Sequence, residues 1–398
     1  MNQLYSRAMN VRNTNPNRDD SESHPPESGG IRQSTRAVDR AISDIRRGMP
    51  VIVTDANSDF IVALAAEPVT DQLLTMITEF GGTPPKLVIT AERAAVLHIP
   101  PSGEDVTALN IEDKFDPAAI RDLADPTADL DHPLRGPFPV SDVFPAAPNS
   151  AAVDLCKLAK LLPATVTTTL SVTNDVKAED FAAANDLLLV TAKSVQAYQR
   201  NASETLIKVT SARVPLAGAE TAEVIAFRPL DGGIEHLAIV IGEPVRRSAV
   251  LTRLHSECFT GDLLESLRCD CGTQLRAAID MLNKEGSGIL LYLAQEGRGI
   301  GLINKLRAYR LQDQGFDTFD ANERLGFEPD ERLFEPAAQI LRLLGISRVR
   351  LLTNNPQKVS NLQSCGIEVV ERVPHAFPAN PHNAHYLQAK AKRAGHLL

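Results

Sequence analysis

Short apolar runs alternate with amphipathic segments along two stretches of this chain, and this pattern limits the fold more than any other feature. Runs such as PVIVT, KLVIT and LLLVT have the length and β-branched content of buried strands, and segments with a helical apolar period follow them. Near residue 205 the pattern changes to consecutive strand-like segments, and the alternation returns after Cys271. The sequence therefore predicts an α/β (α+β) fold with two domains, each a mixed sheet with packed helices.

The predicted boundaries follow length and composition. A chain of 398 residues usually forms more than one hydrophobic core. Residues 1–30 are rich in Asn, Asp, Ser, Pro and Arg without an apolar period, which is typical of a disordered tail. We place the first domain at residues 31–204 and the second at residues 205–398.

Several local predictions can be checked against a structure. The first helix is expected to begin near Arg36, and Thr70 is a plausible N-cap for a helix that follows it. Residues 100–148 carry many Pro and Asp residues and are predicted to be loop or loosely organised structure. A last amphipathic helix is expected over residues 384–396.

Composition narrows the classes of partner. The formal net charge is −9, which would repel a phosphate backbone, and Trp is absent, so a general nucleic-acid binder is not expected. The chain has no apolar run of about 18 residues that would span a membrane, and its N-terminus lacks a signal-peptide core. The five cysteines, three of them close together, are typical of a metal site in a reducing cytoplasm rather than a disulfide framework.

The C-x10-C-x-C array of Cys258, Cys269 and Cys271 is the sharpest chemical signal. Zinc prefers thiolate and imidazole ligands, and three protein ligands leave one tetrahedral position for a water molecule whose pKa falls toward neutrality. We therefore expect one catalytic Zn2+ per chain. The alternative is a structural zinc with a fourth ligand such as His255.

Three loops carry further candidate groups. QEGRGIG, residues 295–301, is a glycine-rich turn before a helix, where backbone N–H groups bind phosphate, although its spacing is not that of a dinucleotide fingerprint. PDER, residues 329–332, precedes a helix, and TNNPQK, residues 353–358, lies between a strand and a helix, where α/β proteins bind ligands. Taken alone, each loop is also explained as a tight turn or a helix start.

Together these motifs resemble those of the GTP cyclohydrolase II family. The resemblance covers about Ile207 to Leu398 and rests on RLHSECFTGDLLESLRCDCGTQL, QEGRGIGLINKLRAYRLQDQGFDTFDAN, LGFEPDER, AQILRLLGISRVRLLTNNPQK and GIEVVERVP. It implies zinc-dependent hydrolysis of GTP to formate, pyrophosphate and a diamino-ribosylamino-pyrimidinone phosphate, at the start of riboflavin synthesis. It also implies Mg2+ bound with the triphosphate and a homodimer.

The resemblance assigns roles to individual positions. The three clustered cysteines would hold the zinc ion. Asp330 would accept a proton, Arg332 would be the nucleophile that attacks the α-phosphorus, and Tyr309 would assist near the reacting phosphate. The implied contacts to GTP are Arg253, Leu254, His255, Ser256, Glu257, Gln274, Glu296, Gly297, Arg298, Thr318, Thr353 and Lys358.

One position departs from the family pattern. Family members usually read RQEGR, and this chain has Ala294 in place of the first Arg. The change would weaken triphosphate binding if that Arg touched substrate, and would be neutral if its role was structural. A paralogue with an altered substrate or product is therefore one alternative, and a non-catalytic regulator that binds GTP and zinc is another.

The N-terminal half shows a second, fainter resemblance. Residues 36–200 resemble dihydroxybutanone phosphate synthase in AVDRAISDIRRGMPVIVTD, ALAAEPVT, ITAERAAVLHI and AAVDLCKLAKL. The acidic loop that binds magnesium in that family is shortened here to DANSDF, residues 55–60. The family's His-Thr-Glu-Ala site reads Asn-Ser-Ala-Ala at residues 149–152, and the strand TVTTTL lacks the late Glu. We expect this domain to keep the fold without synthase activity, as a scaffold, a dimerisation module or a regulator-binding domain.

Overall fold

In the part of the chain that the structure describes, the strands form two seven-stranded sheets, each covered by helices. The computed structural model describes residues 28–55, 59–111, 116–133, 136–171, 177–383 and 393. The two sheets use strands from the first and the second half of the chain respectively. The predicted two-domain α/β (α+β) architecture is therefore confirmed.

The first half contains seven strands and seven helices within the described ranges. In chain order they are α1 (Ser28–Arg46), β1 (Val51–Thr54), β2 (Phe60–Ala65), α2 (Asp71–Glu79), β3 (Lys86–Thr90), α3 (Ala91–Val96), β4 (Val106–Asn110), α4 (Pro117–Ala124), β5 (Val140–Ser141), α5 (Ala146–Leu158), β6 (Ala164–Leu170), α6 (Ala178–Asn185), β7 (Leu188–Thr191) and α7 (Ala192–Glu204). The sheet order is β5-β4-β3-β6-β2-β1-β7, and every neighbouring pair is antiparallel except β1 and β7. The central strands β2 and β6 are buried along their whole length, because helices cover both faces.

The second half forms the sheet that carries the candidate site. Its elements are β8 (Leu206–Arg213), β9 (Glu223–Pro229), β10 (His236–Ile241), β11 (Val250–Ser256), α8 (Cys271–Glu285), β12 (Gly288–Leu293), α9 (Leu302–Asp313), α10 (Thr318–Arg324), α11 (Glu335–Leu343), β13 (Arg348–Leu352), α12 (Pro356–Ser364) and β14 (Glu368–Val373). The sheet order is β14-β13-β11-β12-β10-β9-β8. The four strands β14, β13, β11 and β12 run parallel, and β10, β9 and β8 extend the sheet with antiparallel pairing.

Some local predictions need correction. Helix α1 begins at Ser28, so it starts earlier than Arg36 and includes the last residues of the segment expected to be disordered. The region 100–148 is not loop alone, because β4 pairs with β3 and Asp116 caps α4 by accepting a hydrogen bond from the backbone N–H of Ala119. These elements depend on pairing and capping partners, which apolar periodicity does not reveal.

Other local predictions hold or fall outside the described residues. The side chain of Thr70 accepts a hydrogen bond from the N–H of Leu73 at 3.3 Å, which confirms it as the N-cap of α2. Residues 1–27 of the predicted tail, residues 56–58 of the shortened loop and the predicted last helix, apart from Arg393, lie outside the described residues. None of the helices in the described ranges combines the length and apolar content needed to cross a lipid bilayer.

The two halves share one of their hydrophobic cores. A single buried cluster includes Leu87 and Ile89 of the first sheet together with Leu311, Leu325 and Phe327 of the second half. Helix α10 packs on α3, and α11 packs on α7. The helices that follow the glycine-rich turn of the second half are therefore packed against the N-terminal half.

Candidate active site

The candidate site lies where three parallel strands of the second sheet end. Strand β11 pairs in parallel with β12 and with β13, so their carboxyl ends meet at one edge of the sheet. The segments that follow these strands begin at Glu257, Ala294 and Thr353. Strand direction therefore collects the cysteine array, the glycine-rich turn and TNNPQK at one place, as α/β sheets generally do for their ligand sites.

One cleft at this edge gathers nearly all the predicted residues. This cleft is partly open to solvent. The predicted residues that line it are Arg253, His255, Ser256, Glu257, Cys258, Cys269, Cys271, Gln274, Glu296, Gly297, Arg298, Tyr309, Thr318, Arg332, Thr353 and Lys358.

Two predicted residues do not line the cleft. Side chains alternate across strand β11, so the side chain of Leu254 faces the core and is 1% exposed. Its role as a GTP contact stays a prediction, and only its backbone is placed to fulfil it. Its carbonyl oxygen accepts a hydrogen bond from Nζ of Lys358 at 3.0 Å, which holds that lysine at the site. Asp330 does not line the cleft but contacts Arg332, which does. Its carboxylate accepts hydrogen bonds from Nε of Arg332 at 2.7 Å and from Nη2 of the same residue.

The three thiols are arranged as a metal site. Their sulfur atoms all lie within 4.8 Å of one another, and Sγ of Cys258 is 3.8 Å from Sγ of Cys269. Tetrahedral bonds of about 2.3 Å to one ion would place two sulfurs about 3.8 Å apart. A Cβ atom added at Gly261 would lie 2.7 Å from Sγ of Cys269 and 3.0 Å from Sγ of Cys258. The thiols fit a single tetrahedral metal ion, and Gly261 is required for their close approach.

The three thiols of the cluster differ in how readily they ionise. Hydrogen bonds from Cys269 and Cys271 lower the pKa of Cys258, and Nζ of Lys305 adds a hydrogen bond to its sulfur at 3.0 Å. The same hydrogen bonds raise the pKa values of Cys269 and Cys271, because a second or third thiolate would be repelled by the first. The cluster alone therefore favours one thiolate, and a bound cation is what would hold all three ionised.

A buried acid fixes the first cysteine and the neighbouring His255. The Asp262 carboxylate lies 3.0 Å from Nε2 of His255, and it accepts hydrogen bonds from the Tyr292 hydroxyl at 3.0 Å and from the N–H of Cys258 at 3.0 Å. Among the described residues the metal-ligand group contains only the three cysteines, so His255 is not placed as a fourth ligand. This geometry supports the three-ligand interpretation over the closed structural site.

The rest of the cleft is strongly cationic. Six cationic side chains line it against three carboxylates, although the chain as a whole is acidic; the cations are Arg253, Arg268, Arg298, Lys305, Arg332 and Lys358. Burial lowers the pKa of Arg253 to about 10, and its Nε has no partner among the described residues. The Nδ1 atoms of His255 and His375 are buried and unpartnered in the same way. Such polar atoms are costly when buried, and they mark positions where a polar ligand would bind.

The glycine-rich turn adopts a backbone that few residues tolerate. Gly297, Arg298 and Gly299 all have positive φ angles, of 65°, 61° and 99°. Arg298 is uncommon there because its Cβ disfavours the left-handed region, and such strain is concentrated at functional sites. Its guanidinium stacks on Phe319, with the ring centroid 5.1 Å away, so the side chain is held over the cleft.

Comparison with known proteins agrees with this geometry. The family model described as GTP cyclohydrolase II matches residues 207–374. A GTP cyclohydrolase-2 of Azospirillum brasilense is 50% identical over 380 residues, which cover 95% of this chain and 98% of that relative. The chain belongs to the GTP cyclohydrolase II family. It is therefore an enzyme of that type, and all the predicted site residues lie inside the matched region.

One further relative covers both halves, and one solved structure aligns with most of the chain. The riboflavin biosynthesis protein RibBA of Aquifex aeolicus is 36% identical over 400 residues, covering 91% of this chain and 97% of its own length. This likeness places the GTP cyclohydrolase II chain in riboflavin biosynthesis. A solved two-domain dihydroxybutanone phosphate synthase, RibBX of A. baumannii, aligns over 85% of this chain and 99% of its own, with 19% identity and a TM-score of 0.34.

The departure at position 294 lies away from the cleft of this GTP cyclohydrolase II. Ala294 lines a second cavity of about 360 Å3 between the two halves, together with Arg46 and Lys160 of the N-terminal half. Its N–H donates a hydrogen bond to Nδ1 of His236 at 3.1 Å. A side chain at this position would therefore point toward the N-terminal half rather than into the cleft.

Several cleft residues were not found from the sequence. Lys305 contacts both Cys258 and the Glu296 carboxylate, the latter at 2.8 Å, and Arg268 stacks over Tyr309 with 5.2 Å between the guanidinium carbon and the ring centroid. The sequence did contain a signal for Lys305. It lies four positions before Tyr309 on the helix after the glycine-rich turn, so the two side chains share one face of that helix. His375 carried no signal, since it lies beyond the last strand and reaches the cleft only through the fold.

Proposed function

We propose that this enzyme hydrolyses GTP to formate, pyrophosphate and a diamino-ribosylamino-pyrimidinone phosphate, with Zn2+ bound by Cys258, Cys269 and Cys271. One observation carries the proposal: a three-thiol metal site and a cleft lined by cationic side chains occupy the same strand edge. Zinc held there would supply a Lewis acid for hydrolysis at the ring carbon that leaves as formate. The thiol spacing supports zinc, because it matches tetrahedral thiolate coordination.

The purine end of the substrate is assigned to the side of the cleft nearest the thiols. Ser256, Glu257 and Gln274 lie on the segments that hold the cysteines and offer hydrogen-bonding groups. Glu257 is assigned to substrate binding, because its side chain lines the cleft next to Cys258. We assign Gln274 to substrate recognition, although its amide oxygen now accepts a hydrogen bond from Arg253.

The triphosphate is assigned to the cationic side. Arg298, Arg332 and Lys358 offer the charge, and the turn at Gly297 brings backbone close to the ligand. Thr318 and Thr353 line the cleft and supply hydroxyl groups to it. Mg2+ bound with the phosphates would offset further charge, as it does in other enzymes that bind nucleoside triphosphates.

Asp330 and Arg332 are proposed as the pair that releases pyrophosphate. Burial opposes ionisation of Asp330, but the hydrogen bonds and charge of Arg332 outweigh it and lower the pKa of Asp330. The carboxylate is therefore ionised and touches the guanidinium that would attack the α-phosphorus, so it can accept the proton that this attack releases. Tyr309, with a pKa raised to about 12 mainly by burial, stays protonated and can donate a hydrogen bond to a phosphate oxygen.

The N-terminal half is proposed to lack synthase activity. Asn149 stands where the synthase motif has its His; it donates a hydrogen bond to the carbonyl of Pro145 at 2.7 Å and accepts one from Thr167 at 3.0 Å. Both polar ends of this buried amide are thus used in structural contacts. A clear turnover of ribulose 5-phosphate by the purified protein would refute this proposal.

We also propose domain boundaries, an oligomeric state and a cellular location for this chain. We assign residues 31–204 and 205–398 to the two domains, because α7 ends at Glu204 and β8 begins at Leu206. A homodimer and a cytoplasmic location are proposed from the family resemblance and from the free thiols, which a reducing compartment preserves.

A paralogue with an altered product is the second candidate, since Ala294 departs from the family pattern. The position of Ala294 outside the cleft argues against it. The test is to incubate zinc-loaded protein with GTP and Mg2+, and to measure formate, pyrophosphate and product mass. Equimolar formate and pyrophosphate with the pyrimidinone phosphate support the proposal. Pyrophosphate without formate indicates the paralogue, and GTP binding without turnover indicates a regulator.

The Arg332→Lys variant separates the two chemical steps within the same assay. Lysine keeps the positive charge but loses the planar fork that Asp330 grips, so pyrophosphate release should fall far more than GTP binding. Pyrophosphate release at the parental rate in this variant would remove Arg332 from the role of nucleophile.

A further inference from the structure

Two lysines of the N-terminal half reach the loops that carry the cleft residues. Nζ of Lys160 donates a hydrogen bond to the carbonyl of Gly299 at 2.6 Å. Nζ of Lys157 forms an ion pair with the Glu331 carboxylate at 3.0 Å, with both side chains only about a fifth exposed. Gly299 follows Arg298, and Glu331 lies between Asp330 and Arg332. Both lysines therefore act on the segments that present the phosphate-binding and reacting groups.

The two loops are also joined to each other at this point. The N–H of Glu331 donates a hydrogen bond to the carbonyl of Arg298 at 3.1 Å. A Cβ atom at Gly299 would lie 2.7 Å from the carbonyl oxygen of Glu331, and one at Gly301 would lie 3.0 Å from Cβ of Lys160. The strained turn is thus packed between the second loop and the N-terminal half, with no room for a side chain on either side.

Helix α9 makes the same connection with its two faces. Asn304, which is fully buried, donates hydrogen bonds to the carbonyls of Lys160 at 3.1 Å and of Ile300 at 3.0 Å. Arg307, on the same face, forms ion pairs with Glu67 at 2.9 Å and with Asp125 at 3.2 Å. The other face carries Lys305 and Tyr309 into the cleft. One face of α9 is therefore fixed to the N-terminal half and the other serves the site.

We propose that the N-terminal half is a positioning element for the GTP site, with Lys157 and Lys160 holding the Arg298 turn and the Asp330–Arg332 segment in their reactive geometry. The inference rests on the proposed function and deepens it. The family model matches only residues 207–374, so this support belongs to two-half chains such as this one rather than to the family as a whole. Neither lysine touches the cleft, and both act through the loops they hold.

The loss of a charged hydrogen bond that positions a reacting group costs on the order of tenfold to a hundredfold in rate. The test uses full-length, zinc-loaded Lys157→Met and Lys160→Met variants. We expect kcat/KM for GTP to fall by that factor in each, with unchanged zinc content. Hydrogen exchange should accelerate at residues 296–301 and not in strand β12. Lys160→Arg should restore part of the activity, because it keeps a donor for Gly299.

The matched control is Lys193→Met, which removes an exposed lysine of α7 in the same half. It should match the parent in every readout. The proposal would be overturned if the folded Lys157→Met and Lys160→Met variants both kept parental values. These values are the hydrogen-exchange rates at residues 296–301 and kcat/KM, each within twofold of the parent. If Lys160→Met fails to fold, the half-buried Lys157→Met decides alone. If the parent itself shows no GTP turnover, the proposed function fails, and the exchange result still decides whether the lysines hold the turn.

Discussion

Replacing Gly261 by Ala should disable the metal site while leaving all three thiols in the chain. The added Cβ would lie 2.7 Å from Sγ of Cys269, whereas ordinary contacts begin at 3.4 Å, so that sulfur must move by about 0.7 Å. Metal–ligand distances tolerate changes of only about 0.2 Å, so the shift removes Cys269 as an effective ligand. Gly261 has no positive φ, and Ala is therefore compatible with its backbone.

The magnitude follows from the share of one ligand. Structural thiolate sites bind zinc with about 10–16 kcal/mol, so one ligand of a few contributes roughly 3 kcal/mol, which is about a hundredfold in affinity. Crowding of the metal-free protein should cost about 1–3 kcal/mol, because free thiols can rotate away. We expect formate release to fall in proportion to zinc occupancy at limiting zinc.

The assay is zinc affinity by competition with a chromogenic chelator, together with zinc per chain by mass spectrometry and the initial rate of formate release. Gly30→Ala is the control, since a Cβ there meets nothing within 4 Å and its φ is also unstrained. Gly261→Ala that binds one zinc with parental affinity would refute the assignment of the three thiols as a tight metal site.

Three further predictions follow from single contacts. Lys305→Met removes the ammonium group that contacts Cys258, and it leaves the Glu296 carboxylate, which is 11% exposed, without its ion pair. The kcat/KM for GTP should therefore fall by about 10- to 100-fold. An unchanged kcat/KM would show that this contact does not contribute to the reaction. Burial lowers the pKa of His236 to about 4, below its unfolded value of about 6.5, so the neutral form contributes stability above pH 6.5 that is lost as pH falls toward 4. His236→Asn keeps an acceptor for the N–H of Ala294. Between pH 6.5 and 4, the free energy of unfolding in urea should change by about 3 kcal/mol less in this variant than in the parent. The same pH dependence in variant and parent would contradict this. Arg93→Met removes the two hydrogen bonds that the buried Arg93 guanidinium donates to the half-buried Asp129 carboxylate, and it should lower the free energy of unfolding by about 3 kcal/mol. A loss under about 1 kcal/mol would show that Arg324, 3.8 Å from that carboxylate, is a sufficient partner.

Much of the fold was predictable because its signals are local. The apolar period and the β-branched runs located most strands and helices, and the hydroxyl of Thr70 marked a helix start. The elements in residues 100–148 were missed because β4 is stabilised by pairing with β3, a partner that its own residues do not indicate. The residues before Arg36 lack an apolar period, and so the early start of α1 was missed as well.

The candidate site followed from motifs more than from geometry. Motif resemblance placed the cysteines and the cationic residues in one cleft, but it included Leu254, whose side chain the strand alternation turns into the core. Motifs also could not reveal the contacts of Lys157 and Lys160, since these residues lie more than a hundred positions from Gly299 and Glu331. Such contacts depend on how two domains pack, which no local pattern encodes.

We propose above that zinc at the three thiols supports the opening of the GTP ring in this cleft. The most direct measurement follows GTP labelled with carbon-13 at the ring carbon that is lost, by NMR, with protein that is zinc-loaded, zinc-stripped or zinc-restored. We expect one labelled formate per GTP consumed by the zinc-loaded protein, none after zinc is stripped, and recovery when zinc is restored. Labelled formate at the same rate from zinc-stripped protein, or GTP consumption without labelled formate, would contradict the proposal.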